Sequence, residues 1–129
     1  MKRKKKGIAC ERELVHKLWD LGFGAVRIAG SGCTKTPSAD IVAGRAGKVY
    51  TIECKSSKSE NYYLDKSVVE QLLEFSRRFD STPLIGIRFK NQEWAFLKIE
   101  HLPLFKDTGK FFVIGSSDIS GRCIRLDKL

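Results

Sequence analysis

Three side chains in the first half of the sequence, Asp40, Glu53 and Lys55, have types and a spacing suited to catalysis. Asp40-Ile41-Val42-Ala43 is apolar and partly β-branched, and Val49-Tyr50-Thr51-Ile52 is the strongest β-former of the first half. With Gly44-Arg45-Ala46-Gly47-Lys48 between them, the local reading is an antiparallel hairpin. If the turn is centred between Ala46 and Gly47, Asp40 and Glu53 are equidistant from it. They then face each other across the ladder, on the face of Val42 and Thr51. Directly opposed carboxylates repel and weaken a sheet. A divalent cation between them turns the defect into a site, because hard cations such as Mg²⁺ take oxygen ligands from one or two carboxylates plus water or phosphate. Lys55 lies two residues beyond Glu53 and points to the same face. Its ammonium is there to polarise a water or to stabilise charge on the phosphorus centre. Ile52 and Cys54 point the other way, into an apolar layer. Ala-Gly is a poor type I′ pair, since Ala resists positive φ. A four-residue loop over 45–48 keeps the same centre, whereas an odd loop breaks the pairing.

A third acid comes from the segment before the hairpin. Residues 8–21 read as a helix with Ile8, Leu14, Val15, Leu18 and Trp19 on one stripe, stopped by Gly22 in the manner of a C′ glycine. Glu11 falls inside that stripe. The helix dipole favours an acid near the N-terminus, but it does not explain one on the apolar face, where an unpartnered charge is costly. Glu11 is therefore a candidate to join Asp40 and Glu53 around the metal.

The remaining elements position these groups. Residues 23–29 read as a strand carrying Arg27. Residues 30–37 form a Gly-rich loop opening onto Asp40, whose amides and Ser31 hydroxyl suit a phosphate, the alternative being a plain connector. Residues 56–61 are expected to be a second loop. Asp65, or the Ser67-x-x-Glu70 capping box, starts a helix to about Phe79 with Val68, Val69, Leu72, Leu73 and Phe79 on its apolar face. Residues 84–89 and 94–99 read as strands around Lys90-Asn91-Gln92, residues 101–108 as a helical turn or irregular connection, and residues 111–114 as a short strand. Nothing is assigned from Ser116 on. The order α-β-β-β-α-β-β predicts an α/β fold, a mixed central sheet flanked by helices, in a single domain of 129 residues.

Composition narrows the partners. No run approaches the roughly 18 apolar residues of a membrane span, and no signal-peptide hydrophobic region follows the basic start, so an intracellular, cytoplasmic protein with no membrane partner is expected. Cys10, Cys33, Cys54 and Cys123 form no C-x-x-C pair, and His16 and His101 are isolated, which argues against zinc. Reduced thiols are the default, with a disulfide left open. A net charge of +9 predicts attraction to a polyanion, and nucleic acid is the commonest inside a cell. Lys2-Arg3-Lys4-Lys5-Lys6 reads as a flexible arm that tracks phosphates, the alternative being a solubilising tail. Lys4, Lys5 and Lys6, with the loop residues Lys35 and Lys58, are DNA-binding candidates.

Ser-Ala-Asp followed by Glu-x-Lys resembles the PD-(D/E)xK nuclease motif. Further stretches agree in the same order: Gly7-Ile8-Ala9-Cys10-Glu11-Arg12-Glu13-Leu14, Gly22-Phe23, Val26-Arg27, Ala29-Gly30-Ser31-Gly32, Asp40-Ile41-Val42-Ala43-Gly44, Ile52-Glu53-Cys54-Lys55 and Glu74-Phe75-Ser76-Arg77-Arg78-Phe79. Over roughly residues 3–100 the sequence resembles the archaeal-type Holliday junction resolvases, the Hjc family. Ser38-Ala39 departs from the usual flank, and the last 25 or so residues are the least recognisable. The resemblance implies a restriction-endonuclease-like fold and a homodimer that nicks two opposed strands of a four-way DNA junction with Mg²⁺ or Mn²⁺, leaving 5′-phosphate and 3′-hydroxyl ends. It makes Asp40 and Glu53 metal ligands, Glu11 the helix-borne acid, Lys55 the catalytic lysine and Ser31 a loop serine needed for cleavage. Arg12 and Arg27 match basic positions bearing on DNA or the active site. Two alternatives stay open: a nuclease of this superfamily acting on duplex, flap or other branched DNA, and a non-catalytic DNA-binding module.

Overall fold

The computed structural model describes the backbone of residues 2–31 and 35–129, with side chains from Gly7 onward. The side chains of Lys4, Lys5 and Lys6, and residues 32–34 of the Gly-rich loop, lie outside what is described. The first helix, α1 (Lys2–Asp20), starts at Lys2, ahead of the expected Ile8, consistent with Lys and Arg being good helix formers. Its end is a Schellman motif: Phe23 N–H donates to the Leu18 carbonyl, Gly22 N–H to that of Trp19, and Gly22 has φ +89°.

Strands β1 (Gly24–Arg27), β2 (Ile41–Arg45), β3 (Lys48–Ser57), β5 (Thr82–Phe89), β6 (Ala95–Lys98) and β9 (Ile124–Arg125) form a six-stranded sheet in the order β1-β2-β3-β5-β6-β9. Only the β3–β5 pair is parallel. A parallel pair needs a crossover. Here the crossover carries β4 (Asn61–Asp65) and the second helix, α2 (Lys66–Phe79). The β4 strand leaves the main sheet and pairs with β8 (Phe111–Gly115), which also pairs with β7 (Lys106–Asp107) to make a three-stranded sheet.

Two apolar clusters lie on opposite faces of the main sheet. One packs Leu14 and Leu18 of α1 on Ile41, Ile52, Leu84, Trp94 and Phe96. The other packs Val69 and Leu72 of α2 and Leu64 and Ile114 of the small sheet on Ile85, Ile87 and Leu97. β5 and β6 are covered on both faces, which is why Leu84-Ile85-Gly86-Ile87 and Ala95-Phe96-Leu97 are unbroken apolar runs. Gly86 sits in a tight spot: a Cβ there would lie 3.1 Å from Phe96 and 3.2 Å from Ile52, so those side chains would have to give by a few tenths of an ångström. Among the described residues no helix is long and apolar enough to cross a membrane.

The mixed α/β class is as expected, and so is the hairpin register, with Ile41 opposite Ile52 and Val42 opposite Thr51. Asp65 does cap α2, its carboxylate accepting from Ser67 N–H at 2.9 Å. Other details differ: β4 is a strand before α2 that the expected order lacks. The hairpin loop has two residues, not four, with Ala46 at φ +52° and Gly47 at φ +83°; positive φ at both central residues matches the strand twist, which outweighs the reluctance of Ala. Trp19 is 58% exposed instead of lying in the buried stripe, because its indole N–H reaches the Ala25 carbonyl at 2.9 Å. Ser56 and Ser57 extend β3 instead of starting a loop, held by parallel pairing to Arg88 and Phe89. Leu73 and Phe79 lie on the open side of α2, exposed by 42% and 48%.

Candidate active site

The acids and the lysine meet where α1, β1, β2, β3 and β4 come together. Asp40 immediately precedes β2 and is only 8% exposed. Its backbone is stitched to both neighbours: its N–H donates to the Ile52 carbonyl at 2.9 Å, and its carbonyl accepts from Ile28 N–H at 2.8 Å. Its carboxylate is fixed as well, Oδ1 by the Ser31 hydroxyl at 2.7 Å and Oδ2 by the Cys54 backbone N–H at 2.8 Å. Glu53 and Lys55 lie on β3, with Lys55 Nζ 3.2 Å from Glu53 Oε2. Cys54 between them packs its side chain against the α1-side cluster, the opposite orientation expected from strand alternation. Glu11 enters from α1 and pairs with Arg27 of β1, Nη1 to Oε1 3.7 Å.

The electrostatics are those of a crowded, partly desolvated group of acids. Burial raises the Glu53 carboxyl to about 7; the Asp40 charge adds to the rise, and Lys55 only partly opposes it. Glu11 is also raised, by burial first and by Asp40 second, with Arg27 and Lys55 pulling it back. For Lys55 burial acts downward, but Glu53 and other nearby groups outweigh it, so the ammonium is held in its charged form. The Cys54 thiol is pushed well above its ordinary value, by burial and then by the neighbouring acids. Asp40 thus acts on both other acids, and Glu11 on Glu53.

Of the sequence candidates, Glu11, Arg27, Ser31, Asp40, Glu53 and Lys55 form one connected group. Arg12, Lys35 and Lys58 are exposed, Lys58 in the turn between β3 and β4. Tyr62 on β4 joins the group unannounced: its phenol interacts electrostatically with Lys55 and Glu53, and burial raises its pKa. The aromatic run Tyr62-Tyr63 after a Ser-rich loop was a strand signal that could have found it. Arg27 also proves to be the counter-charge of Glu11.

The donor set suits a hard divalent cation: three carboxylates, two of them raised by burial and mutual repulsion, hold negative charge that a cation would offset. In the positions described they do not form a metal cage. Among the described residues no group of three or more acidic, Cys or His side chains has that arrangement; Glu11 is engaged by Arg27, Asp40 by Ser31 and the Cys54 amide, and Glu53 by Lys55. Asp40 and Glu53 with water or phosphate remain a sufficient oxygen set for Mg²⁺. A cavity of about 620 Å³ opens elsewhere, between the end of α1, Trp94 and the C-terminal segment; none of these acids lines it.

Comparison with known proteins adds an independent line. A family model described as archaeal Holliday junction resolvase (hjc) matches residues 2–128. The chain is 38% identical over 114 residues to the crossover junction endodeoxyribonuclease Hjc of Archaeoglobus fulgidus, covering 88% of this chain and 82% of that protein. It is 38% identical over 111 residues to the Hjc of Methanocaldococcus jannaschii, covering 85% and 76%. The solved structure of A. fulgidus Hjc, a Holliday junction resolvase from an archaeal hyperthermophile, superposes with a TM-score of 0.82 at 34% identity, covering 92% of this chain and 94% of that one.

Proposed function

The chain belongs to the archaeal Holliday junction resolvase (Hjc) family, whose relatives are crossover junction endonucleases, and we propose that it resolves four-way DNA junctions as a homodimer through Mg²⁺-dependent phosphodiester hydrolysis. The observation that carries this reading is the grouping of Glu11, Asp40 and Glu53 beside the Lys55 ammonium, on elements brought together from α1, β2 and β3.

Asp40 and Glu53, with Glu11 beside them, are the residues that would hold Mg²⁺. When bound, the ion supplies charge neutralisation at the phosphate and a more acidic water. The chain's own groups supply the positioning that phosphoryl transfer demands. Ser31 and the Cys54 amide fix the Asp40 carboxylate in one plane. Lys55 brings a positive charge toward the oxygens where negative charge develops. Arg27 offsets Glu11, so the acids can approach an anionic backbone.

Substrate choice follows from backbone contacts and dimer geometry, not base reading, and the net charge of +9 supplies the long-range attraction. Leu73 and Phe79, exposed on α2, are apolar surface that a second copy would cover. The test is cleavage of a labelled four-way junction and of its separate linear arms, with and without Mg²⁺. Paired nicks in the junction alone, dependent on Mg²⁺, are expected. Equal cutting of the linear arms would reassign the enzyme to duplex DNA. Binding without cutting would leave a DNA-binding module.

A further inference from the structure

The parallel strands β3 and β5 end together. Ser57, the last residue of β3, lies beside Phe89, the last of β5. The Lys90 N–H then donates to the Ser57 carbonyl at 3.1 Å. Lys58 and Lys90 therefore leave neighbouring chain ends side by side, strands being about 4.8 Å apart. Both are exposed. The backbone beneath them is held firmly. The hydroxyls of Ser57 and Ser59 donate to the Asn61 carbonyl at 3.1 and 2.7 Å, and Ser116 N–H donates to the Glu60 carbonyl at 2.7 Å. On the other turn, Gln92 N–H donates to the Phe89 carbonyl at 3.1 Å.

Other cations around this end of the sheet are matched to acids. Lys55 pairs with Glu53 at 3.2 Å, Arg88 with Glu13 at 2.6 Å and Lys17 with Glu93 at 2.9 Å. Among the described residues neither Lys58 nor Lys90 makes an ion pair, although Glu60 stands two residues from Lys58. Like charges on neighbouring strands repel, and one anion between them removes that repulsion. A DNA phosphate suits the place, since lysine binds phosphate as a point charge. Lys58 lies three residues past Lys55. That is about 10 Å of strand, the axial rise of about three nucleotides. Lys48 provides the contrast: it is equally exposed but opens β3 at the hairpin end, away from the acids.

We propose that Lys58 and Lys90 together clamp one phosphate of the DNA, about three nucleotides from the bond that is cut, and so set the position of the arm on the enzyme. The proposal rests on the junction-nuclease reading above.

Affinity of the metal-free protein for a four-way junction, measured over a range of salt, tests the clamp without cleavage. Lys90→Gln is expected to weaken binding severalfold and to lower the slope of log affinity against log salt by about one. Lys90→Arg keeps the charge and should restore both, with Tm unchanged in each variant. Lys48→Gln removes the same charge from the far end of the strand and should change neither. A series of junctions, each with one neutral methylphosphonate linkage, then locates the phosphate. One linkage, about two to four nucleotides from the cut, should weaken the parent and leave Lys58→Gln/Lys90→Gln unaffected. Equal losses in Lys48→Gln and Lys90→Gln would reduce the effect to net charge and overturn the clamp. So would a series in which no linkage distinguishes the parent from the double variant. A parent that neither prefers nor cuts the junction sinks the functional reading, while the same series on a linear arm still decides the clamp. A parent that binds no DNA sinks both.

Discussion

Ser31 donates its hydroxyl to Oδ1 of Asp40 across 2.7 Å, joining the Gly-rich loop to the acid that opens β2. Hydrogen bonds to a charged group contribute about 1.5–3 kcal/mol, and this one orients a proposed metal ligand. Ser31→Ala is expected to slow single-turnover cleavage by about tenfold or more and to raise the Mg²⁺ concentration giving half the maximal rate. Junction affinity without metal should stay near the parent value. Titrating cleavage rate against Mg²⁺ tests this, and a superimposable curve would remove Ser31 from the site.

Glu53 links stability to pH. Its carboxyl is easier to protonate in the folded protein than in the unfolded chain, with burial raising it from 4.5 to about 7. Its contribution is therefore whole below about pH 4.5 and is lost as pH rises through about 7. At roughly 1.4 kcal/mol per pH unit, the loss is about 3 kcal/mol at most. Metal-free Glu53→Gln should be more stable than the parent at pH 8 and similar to it at pH 4. Denaturant melts at both pH values measure the difference. Mg²⁺ should raise the Tm of the parent more than that of the variant.

Cleavage and binding should separate in the other site variants. Asp40→Asn removes a charge that acts on Glu11 and Glu53, and Lys55→Ala removes the ammonium beside Glu53. Each is expected to abolish cleavage while retaining gel-shift affinity for a four-way junction. That affinity should fall steeply with salt, because phosphate contacts dominate it. Retained cutting by either variant would take that residue out of the mechanism.

The hairpin turn offers a test of folding alone. Ala46 sits at φ +52°, a region that costs an L-residue about 1–2 kcal/mol. Ala46→Gly relieves that strain but frees the unfolded chain, so a net gain of about 0.5–1 kcal/mol is expected. Thermal melts should show the rise, with the cleavage rate unaltered.

The proposed homodimer offers a test on α2. Phe79 is 48% exposed and stacks on Phe75 with ring centroids 5.4 Å apart. Phe79→Glu should shift the sedimentation of the protein from dimer to monomer and replace paired nicks with uncoordinated ones. A parent protein that already sediments as a monomer would refute this.

The residues that could be read from sequence are those governed by local rules. Turn symmetry alone predicts Asp40 opposite Glu53; the ladder runs as predicted as far as Ile41 opposite Ile52, but Asp40 lies just outside it, its N–H donating to the Ile52 carbonyl. Glu11 stands out as an acid on an apolar helical stripe, and it does face the other acids. Asp65 announces α2 through its cap. Tyr62 lies in a run whose strand character is legible, but β4 pairs with β8, whose residues lie about fifty positions further along. Local pattern says nothing about such a partner. Trp19 fits the helical stripe by periodicity, yet a single hydrogen bond to Ala25 carries it to the surface. The two-residue turn likewise reflects strand twist, a property of the paired hairpin and not of Ala46 itself.

The bond from the Cys54 amide to Asp40 Oδ2 belongs to the main chain, so the identity of the side chain at position 54 hardly matters to it. Apolar replacements there should leave the orientation of the acid intact, provided they fit against α1. Proline is the exception: lacking an N–H, it would release one oxygen of Asp40 and silence the enzyme without touching any residue that performs chemistry.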